Sequence, residues 1–165
     1  MAEGFHGERA TLGDFETHLS TLFPDARLKQ YIELRTADAG PLSHVQALPS
    51  LWRGLFYSQS SLDAAWKLVA DLTTEERSQL RAEVPLQGYD TKLRGQSIGP
   101  LVEEMVRIAI AGLRELGSEG GVRLLDPLLE MAHERRCPAD DILSIWHAAG
   151  GNPRAFVDKT RLRVD

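Results

Sequence analysis

Cysteine is almost absent from this sequence: Cys137 stands alone among 165 residues. A single cysteine excludes an internal disulfide, and the simplest compartment for such a chain is reducing and cytoplasmic. No apolar run approaches the roughly 20 residues that a bilayer-spanning helix needs. The opening MAEGFHGERA has neither the basic nor the apolar region of a secretory signal. Positive charge is not in excess, since 19 Lys and Arg face 24 Asp and Glu, for a net charge of −5. That balance speaks against a general affinity for nucleic acid or an anionic membrane. Metal and phosphate motifs are missing too. GSEGG at 117–121 is not followed by the Gly-Lys-Ser/Thr of a phosphate loop, and His133-Glu134 begins an HExxH pattern without completing it.

What is present is an ordinary globular composition, 42% hydrophobic and 26% charged, in a chain long enough to bury one core. Most of it has helical period. Thr11 and Asp14 form a capping pair, and Leu12, Phe15, Leu19 and Leu22 then share a face up to Pro24. Leu48, Leu51, Trp52, Leu55 and Phe56 predict a buried helix, with Pro49 in its first turn or marking a break. Leu62, Ala65, Trp66 and Val69 predict a short one, and the Thr73/Glu76 capping box opens another that runs to about Pro85.

Gln87 to Gly99 reads as a polar connection. A long amphipathic helix follows from Pro100 to about Gly117, and GSEGG reads as a flexible turn. Leu125 to Ala132 and Pro138 to Ala149 predict two more helices. The organisation expected is one unit over 1–150 and a loosely held polar tail over 151–165.

One stretch breaks the helical pattern. RLKQYIELRTADAGP, residues 27–41, alternates Arg27, Lys29, Tyr31, Glu33 and Arg35 with Leu28, Gln30, Ile32 and Leu34. Period two predicts a strand over 27–35 with one wholly polar face. No second such run appears, so the fold class expected is α+β, mostly helical, with one strand whose antiparallel partners are missing from the chain. An unpaired strand edge invites pairing with another copy or another chain.

On that face Glu33 offers the hard oxygen that suits Mg²⁺, and Arg35 offers a planar fork for phosphate or carboxylate. Together a metal and an arginine could neutralise charge on a transferred phosphoryl group. The same alternation of charges is also how the solvated face of a half-exposed sheet looks. The residues alone leave both readings open.

The run HLSTLFPDARLKQYIELRTADAGP, residues 18–41, resembles a segment of glutamate–cysteine ligases of the plant and proteobacterial type. The likeness continues through ALPSLWRGLFYS, SSLDAAWKLVADLTTEER and LRGQSIGPLVEEMVRIAIAGL, covering roughly residues 8–150. The resemblance implies a glutamine-synthetase-like ligase that uses ATP to join the γ-carboxylate of L-glutamate to L-cysteine, the first step of glutathione synthesis. The Tyr-Ile-Glu-Leu-Arg text would lie on the floor of an antiparallel active-site sheet. It implies Glu33 as a Mg²⁺ ligand and Arg35 as a catalytic group against the transferred phosphate. Arg35 and Arg27 are then the candidate contacts to ATP; the Arg27 fork also suits a substrate carboxylate, although Arg27 reads rather as solvated or salt-bridged. Thr36 departs from the family, where Gly often follows the arginine. Family enzymes are much longer, so the chain is expected to be their C-terminal part, with further Mg²⁺ carboxylates and much of the nucleotide site elsewhere.

Other residues invite blander readings. His18 and Thr21 precede the strand, in surface or substrate-facing positions. Asp38 before Gly40-Pro41 reads as organising a turn. Arg94 reads as exposed, His44, His133 and His147 as structural, and Cys137 as an inert thiol. Trp52, Trp66 and Trp146 fall on apolar helical faces and read as core. The competing function is a non-catalytic helical module that self-associates or binds a partner through its strand edge.

Overall fold

A computed structural model of the chain describes residues 9–38 and 40–161. The chain divides into two compact units, with the boundary between Asp38 and Ala39.

The first unit holds α1 (Leu12–Thr21) and a hairpin of β1 (Ala26–Leu28) and β2 (Ile32–Leu34). The Thr11/Asp14 box caps α1 as expected: the Thr11 amide donates to Asp14 Oδ2 at 2.7 Å, and the Asp14 amide donates to Thr11 Oγ1 at 3.2 Å. The single strand expected over 27–35 is corrected. The chain reverses at Lys29–Tyr31, where the Lys29 amide donates to the Tyr31 carbonyl at 2.8 Å, and the strand supplies its own partner. Its register pairs Ala26 with Leu34, Arg27 with Glu33 and Leu28 with Ile32. The backbone groups that made a lone strand costly are thus partly satisfied within the hairpin. Apolar burial is reversed here. Leu28 is 82% and Ile32 69% exposed, whereas Arg27 and Glu33 are partly covered. α1 buries none of its residues.

The second unit is helical: α2 (Leu42–Phe56), α3 (Gln59–Val69), α4 (Thr74–Gln87), α5 (Gly99–Glu115), α6 (Glu119–Leu124), α7 (Asp126–Glu134), α8 (Pro138–Ala148) and α9 (Pro153–Thr160). α5 is the centre, packing against α2, α3, α6 and α7. Its Val106, Ile108, Ala109, Ile110 and Leu113 form the core with Ala47, Leu55, Val122 and Leu125. That core is what a 3.6-residue apolar stripe on α5 dictates. Gly54 and Gly112 let α2 and α5 approach closely, backbone against backbone.

Several expectations are corrected in this unit. α2 begins at Leu42, so Pro49 lies inside the helix rather than at its start. The polar connection 87–99 contains a 3-10 turn and a second hairpin, β3 (Lys92–Leu93) with β4 (Gln96–Ser97). Arg94 and Gly95 between them have φ of 51° and 80°, the backbone that a two-residue hairpin turn demands. GSEGG is not a free turn, because α6 starts within it.

The 151–165 tail contains α9, capped by Asn152 and joined to α8 by an edge-on contact of Phe156 with Trp146; residues 162–165 lie outside the described residues. Trp66, expected in the core, is 61% exposed. Trp52 is partly buried against the core as expected, stacked on Phe56. Among the described residues no helix is long and apolar enough to cross a membrane.

Candidate functional site

The hairpin of the first unit does what a straight strand could not. Six residues of extended chain would hold Arg27 and Glu33 about 20 Å apart. The reversal at Lys29–Tyr31 instead sets them directly opposite. Arg27 Nε and Nη2 both donate to Glu33 Oε2, at 2.8 and 2.7 Å. Arg35, two residues along the same face as Glu33, donates from Nη1 to Oε1 at 3.2 Å. The three candidates taken from the sequence are therefore one cluster: a carboxylate held between two guanidinium groups.

Two contacts fix Arg35. Its amide donates to the Asp25 carbonyl at 2.9 Å, extending the hairpin ladder by one bond. Its guanidinium lies 4.8 Å from the centre of the Phe23 ring. A planar cation over an aromatic face is attracted to it and loses rotational freedom. Phe23 went unmarked as a site residue in the sequence, although its position just before Pro24 and within the resembling run was the available signal.

The electrostatics favour an ionised Glu33. The Arg27 hydrogen bond chiefly holds its carboxyl below the ordinary 4.5; desolvation opposes this, and the charges of Arg27, Arg35 and Lys29 add to it. Two guanidiniums and one carboxylate leave the cluster with one net positive charge. The side chains of Arg27 and Arg35 are only 20% and 26% exposed. The arrangement can receive an oxyanion.

It does not by itself make a Mg²⁺ site. Each Glu33 oxygen already accepts from an arginine, and a dication approaching it would meet two positive charges. Among the described residues no group of three His, Cys, Asp or Glu stands together where it could hold a metal. Mg²⁺ takes six oxygens in near-octahedral order. The donor set here does not fit that demand.

The remaining candidates fall elsewhere. His18 sits in the last turn of α1, where its carbonyl accepts from Thr21 Oγ1 at 2.7 Å. Arg94 is half-exposed as expected but not idle: its fork spans Glu76 and Asp71. His133 lies 4.0 Å from Glu103 on the protein surface. Cys137 is the N-cap residue of α8, where its amide donates to Asp140.

Comparison with known proteins gives this geometry a context. Residues 2–158 match the model of glutamate-cysteine ligase family 2 (GCS2). Similar curated proteins include the chloroplastic glutamate–cysteine ligases of Nicotiana tabacum (37% identical over 146 residues), Medicago truncatula (39% over 142) and Arabidopsis thaliana (38% over 146). These alignments cover 88%, 86% and 88% of this chain, but 28% of each relative. The chain thus spans little more than a quarter of the length of the curated relatives it matches. These relatives overturn the cytoplasmic expectation, since all three are chloroplastic enzymes by name. A scarcity of cysteine does not separate one compartment from another. With its family model matched over nearly its whole length, this chain belongs to glutamate-cysteine ligase family 2.

Proposed function

We propose that this chain is the C-terminal part of a glutamate–cysteine ligase, and that it contributes part of the site where ATP activates the γ-carboxylate of L-glutamate for attack by L-cysteine. The observation that carries this reading is the Arg27–Glu33–Arg35 cluster, within a segment matched by the family model. A phosphoryl transfer asks the protein mainly for positioning and for positive charge near the transferred oxygens. Arg35, stacked on Phe23 and pinned to Glu33, supplies a fixed positive fork. Arg27 supplies a second, suited to a phosphate or to a substrate carboxylate. A glutamine-synthetase-like sheet, completed by strands outside this chain, belongs to the same reading.

The test is a graft. The 165-residue chain alone should form little or no γ-glutamylcysteine from glutamate, cysteine and ATP. Placed in the Arabidopsis thaliana ligase in exchange for its matching 146 residues, it should support ATP-dependent product formation. A folded graft with no activity would sink the proposal.

The competing reading, a module that binds through its surface, is favoured by the exposed Leu28 and Ile32. It predicts self-association whether or not the graft is active.

A further inference from the structure

We infer that Glu33 is a positioning residue that braces Arg27 and Arg35 into one oxyanion receptor working without a metal ion. The inference deepens the ligase reading and rests on it only for which oxyanion is native. The receptor itself is a property of this hairpin.

The argument begins with what two guanidiniums do when brought together. They repel unless a counter-charge lies between them, and each long side chain otherwise samples many rotamers. Glu33 removes both obstacles. One oxygen takes two donors from Arg27 and the other takes one from Arg35. Phe23 closes one face of Arg35. A guanidinium carries five N–H donors, so neither arginine is exhausted by these bonds. An arriving oxyanion meets positive forks whose ordering cost is already met, which is what raises affinity for a given set of contacts.

The position of Glu33 argues against a ligand role within this chain. Each Glu33 oxygen keeps lone pairs beyond its arginine bonds, but a dication on either would sit beside a guanidinium already bonded there. Among the described residues no group of three His, Cys, Asp or Glu offsets that repulsion. The ligand chemistry is thus an oxyanion from one of two sources, a phosphoryl group or an amino-acid carboxylate.

Charge and bracing predict opposite signs for one substitution. If Glu33 were merely a nearby negative charge, removing it would strengthen anion binding. If it braces, Glu33→Gln weakens binding, because an amide keeps one acceptor oxygen and turns its NH₂ donors toward the other arginine.

The experiment uses the whole chain labelled with ¹⁵N in chelator-treated buffer. The Nε–H signals of Arg27 and Arg35 are followed during titration with inorganic phosphate and, separately, with L-glutamate. Saturable shifts of both arginines with either probe are expected, and the tighter probe identifies the source. No saturable shift with either overturns the proposal. Glu33→Gln should weaken binding about tenfold, the scale of one lost charged hydrogen bond; unchanged or tighter binding overturns the bracing role. Should Glu33→Gln unfold the hairpin, Arg27→Lys decides, since it keeps the charge and loses the fork. A similar loss supports the receptor, and unchanged affinity overturns it. Mn²⁺ alone, at micromolar concentration, should leave the amide signals around Glu33 sharp, and selective broadening there would restore a metal-ligand role.

Discussion

Gly54 lies against Ala109 so closely that a β-carbon on Gly54 would sit 2.2 Å from the Ala109 carbonyl oxygen. The contact is reciprocal along the same helix pair. A β-carbon on Gly112 would sit 2.1 Å from the Gly54 carbonyl oxygen. Since both obstacles are backbone, neither can be relieved by a rotamer change. Gly54→Ala must push α2 off α5, and with it Ala47 and Leu55 off the core. Overpacking of this kind costs about 1–3 kcal/mol or more. Urea unfolding should show a lower midpoint for Gly54→Ala. Gly120→Ala, where an added β-carbon meets nothing, should leave the midpoint nearly unchanged.

Arg94 ties the tip of the second hairpin to the start of α4. It donates to Glu76 through Nε and Nη2, at 2.6 and 2.9 Å, and to Asp71 Oδ2 through Nη1 at 2.8 Å. Glu76 is also the capping residue paired with Thr73. The Arg94 hydrogen bond, followed by that from Thr73, lowers the Glu76 carboxyl from 4.5 to about 2. A carboxylate depressed in the folded state contributes stability that is present above pH 4.5. That contribution fades as the pH falls toward 2. Arg94→Ala should therefore flatten the acid side of the stability curve between pH 4.5 and 2, measured by thermal unfolding at several pH values. A curve as steep as in the parent would show that the clamp contributes nothing.

Ser58 performs two tasks with one hydroxyl. It caps α3 by accepting from the Ser61 amide at 3.2 Å, and it donates to Glu115 Oε2 at 2.7 Å. Ser58→Ala should lower stability by about 1 kcal/mol, as for loss of a helix cap. Asp is ordinarily as good a cap as Ser. Here Ser58→Asp should fare worse than Ser58→Ala, because it sets a second carboxylate against Glu115 in place of a donor. Comparable stability of the Asp variant and the parent would contradict the shared-hydroxyl account.

In the active graft, Arg35→Lys should reduce turnover about a hundredfold or more, the scale of losing one preorganised transition-state contact. Lysine keeps the charge and loses both the fork and the flat face against Phe23. Lys29→Gln is the control, since Lys29 lies in the hairpin turn outside the three-residue cluster. Equal activity of Arg35→Lys and the parent would return the cluster to a structural role.

The isolated chain should self-associate through its first unit. Leu28, Ile32 and Phe23 are all more than two-thirds exposed there. Exposed apolar side chains on a short hairpin favour pairing and aggregation, and the register sets Leu28 beside Ile32. Sedimentation should show mass rising with concentration, and Ile32→Lys should suppress the rise. A parent chain that stays monomeric at every concentration would remove this expectation.

Helices with a local start signal were legible in the sequence. Thr11 and Asp14, then Thr73 and Glu76, announced α1 and α4, and the long apolar stripe announced α5. The first hairpin was not legible as one, because the alternation in 27–35 keeps its phase on both sides of the reversal. Lys29, Gln30 and Tyr31 also carry none of the Gly, Pro or Asn signals of a turn. The second hairpin has strands of two residues, too short for any periodicity to register. α9 could have been read from Asn152-Pro153, a cap followed by a proline in the first turn, but the polar composition masked it. At the site, the sequence singled out Arg27, Glu33 and Arg35, and the structure brings the three together. Their mutual pairing depended on the turn and so was hidden with it.

The central place of α5 has a consequence for the chain as it is made. Synthesis delivers α2, α3 and α4 before any residue of α5 exists. Ala47 and Leu55 must then wait, solvent-exposed, while the segment up to Glu115 is added. At roughly 5–20 residues per second, the wait after Phe56 lasts roughly 3–12 seconds. Through that interval the nascent helices carry an apolar face with nothing to lie on, and they are most open to chaperones and to one another. Glycine at 54 sharpens the effect, since it weakens α2 as an isolated helix while permitting its later fit to α5. A nascent chain halted before Gly99 would hold the sequence of three helices of this unit and, of the nine core residues, only Ala47 and Leu55.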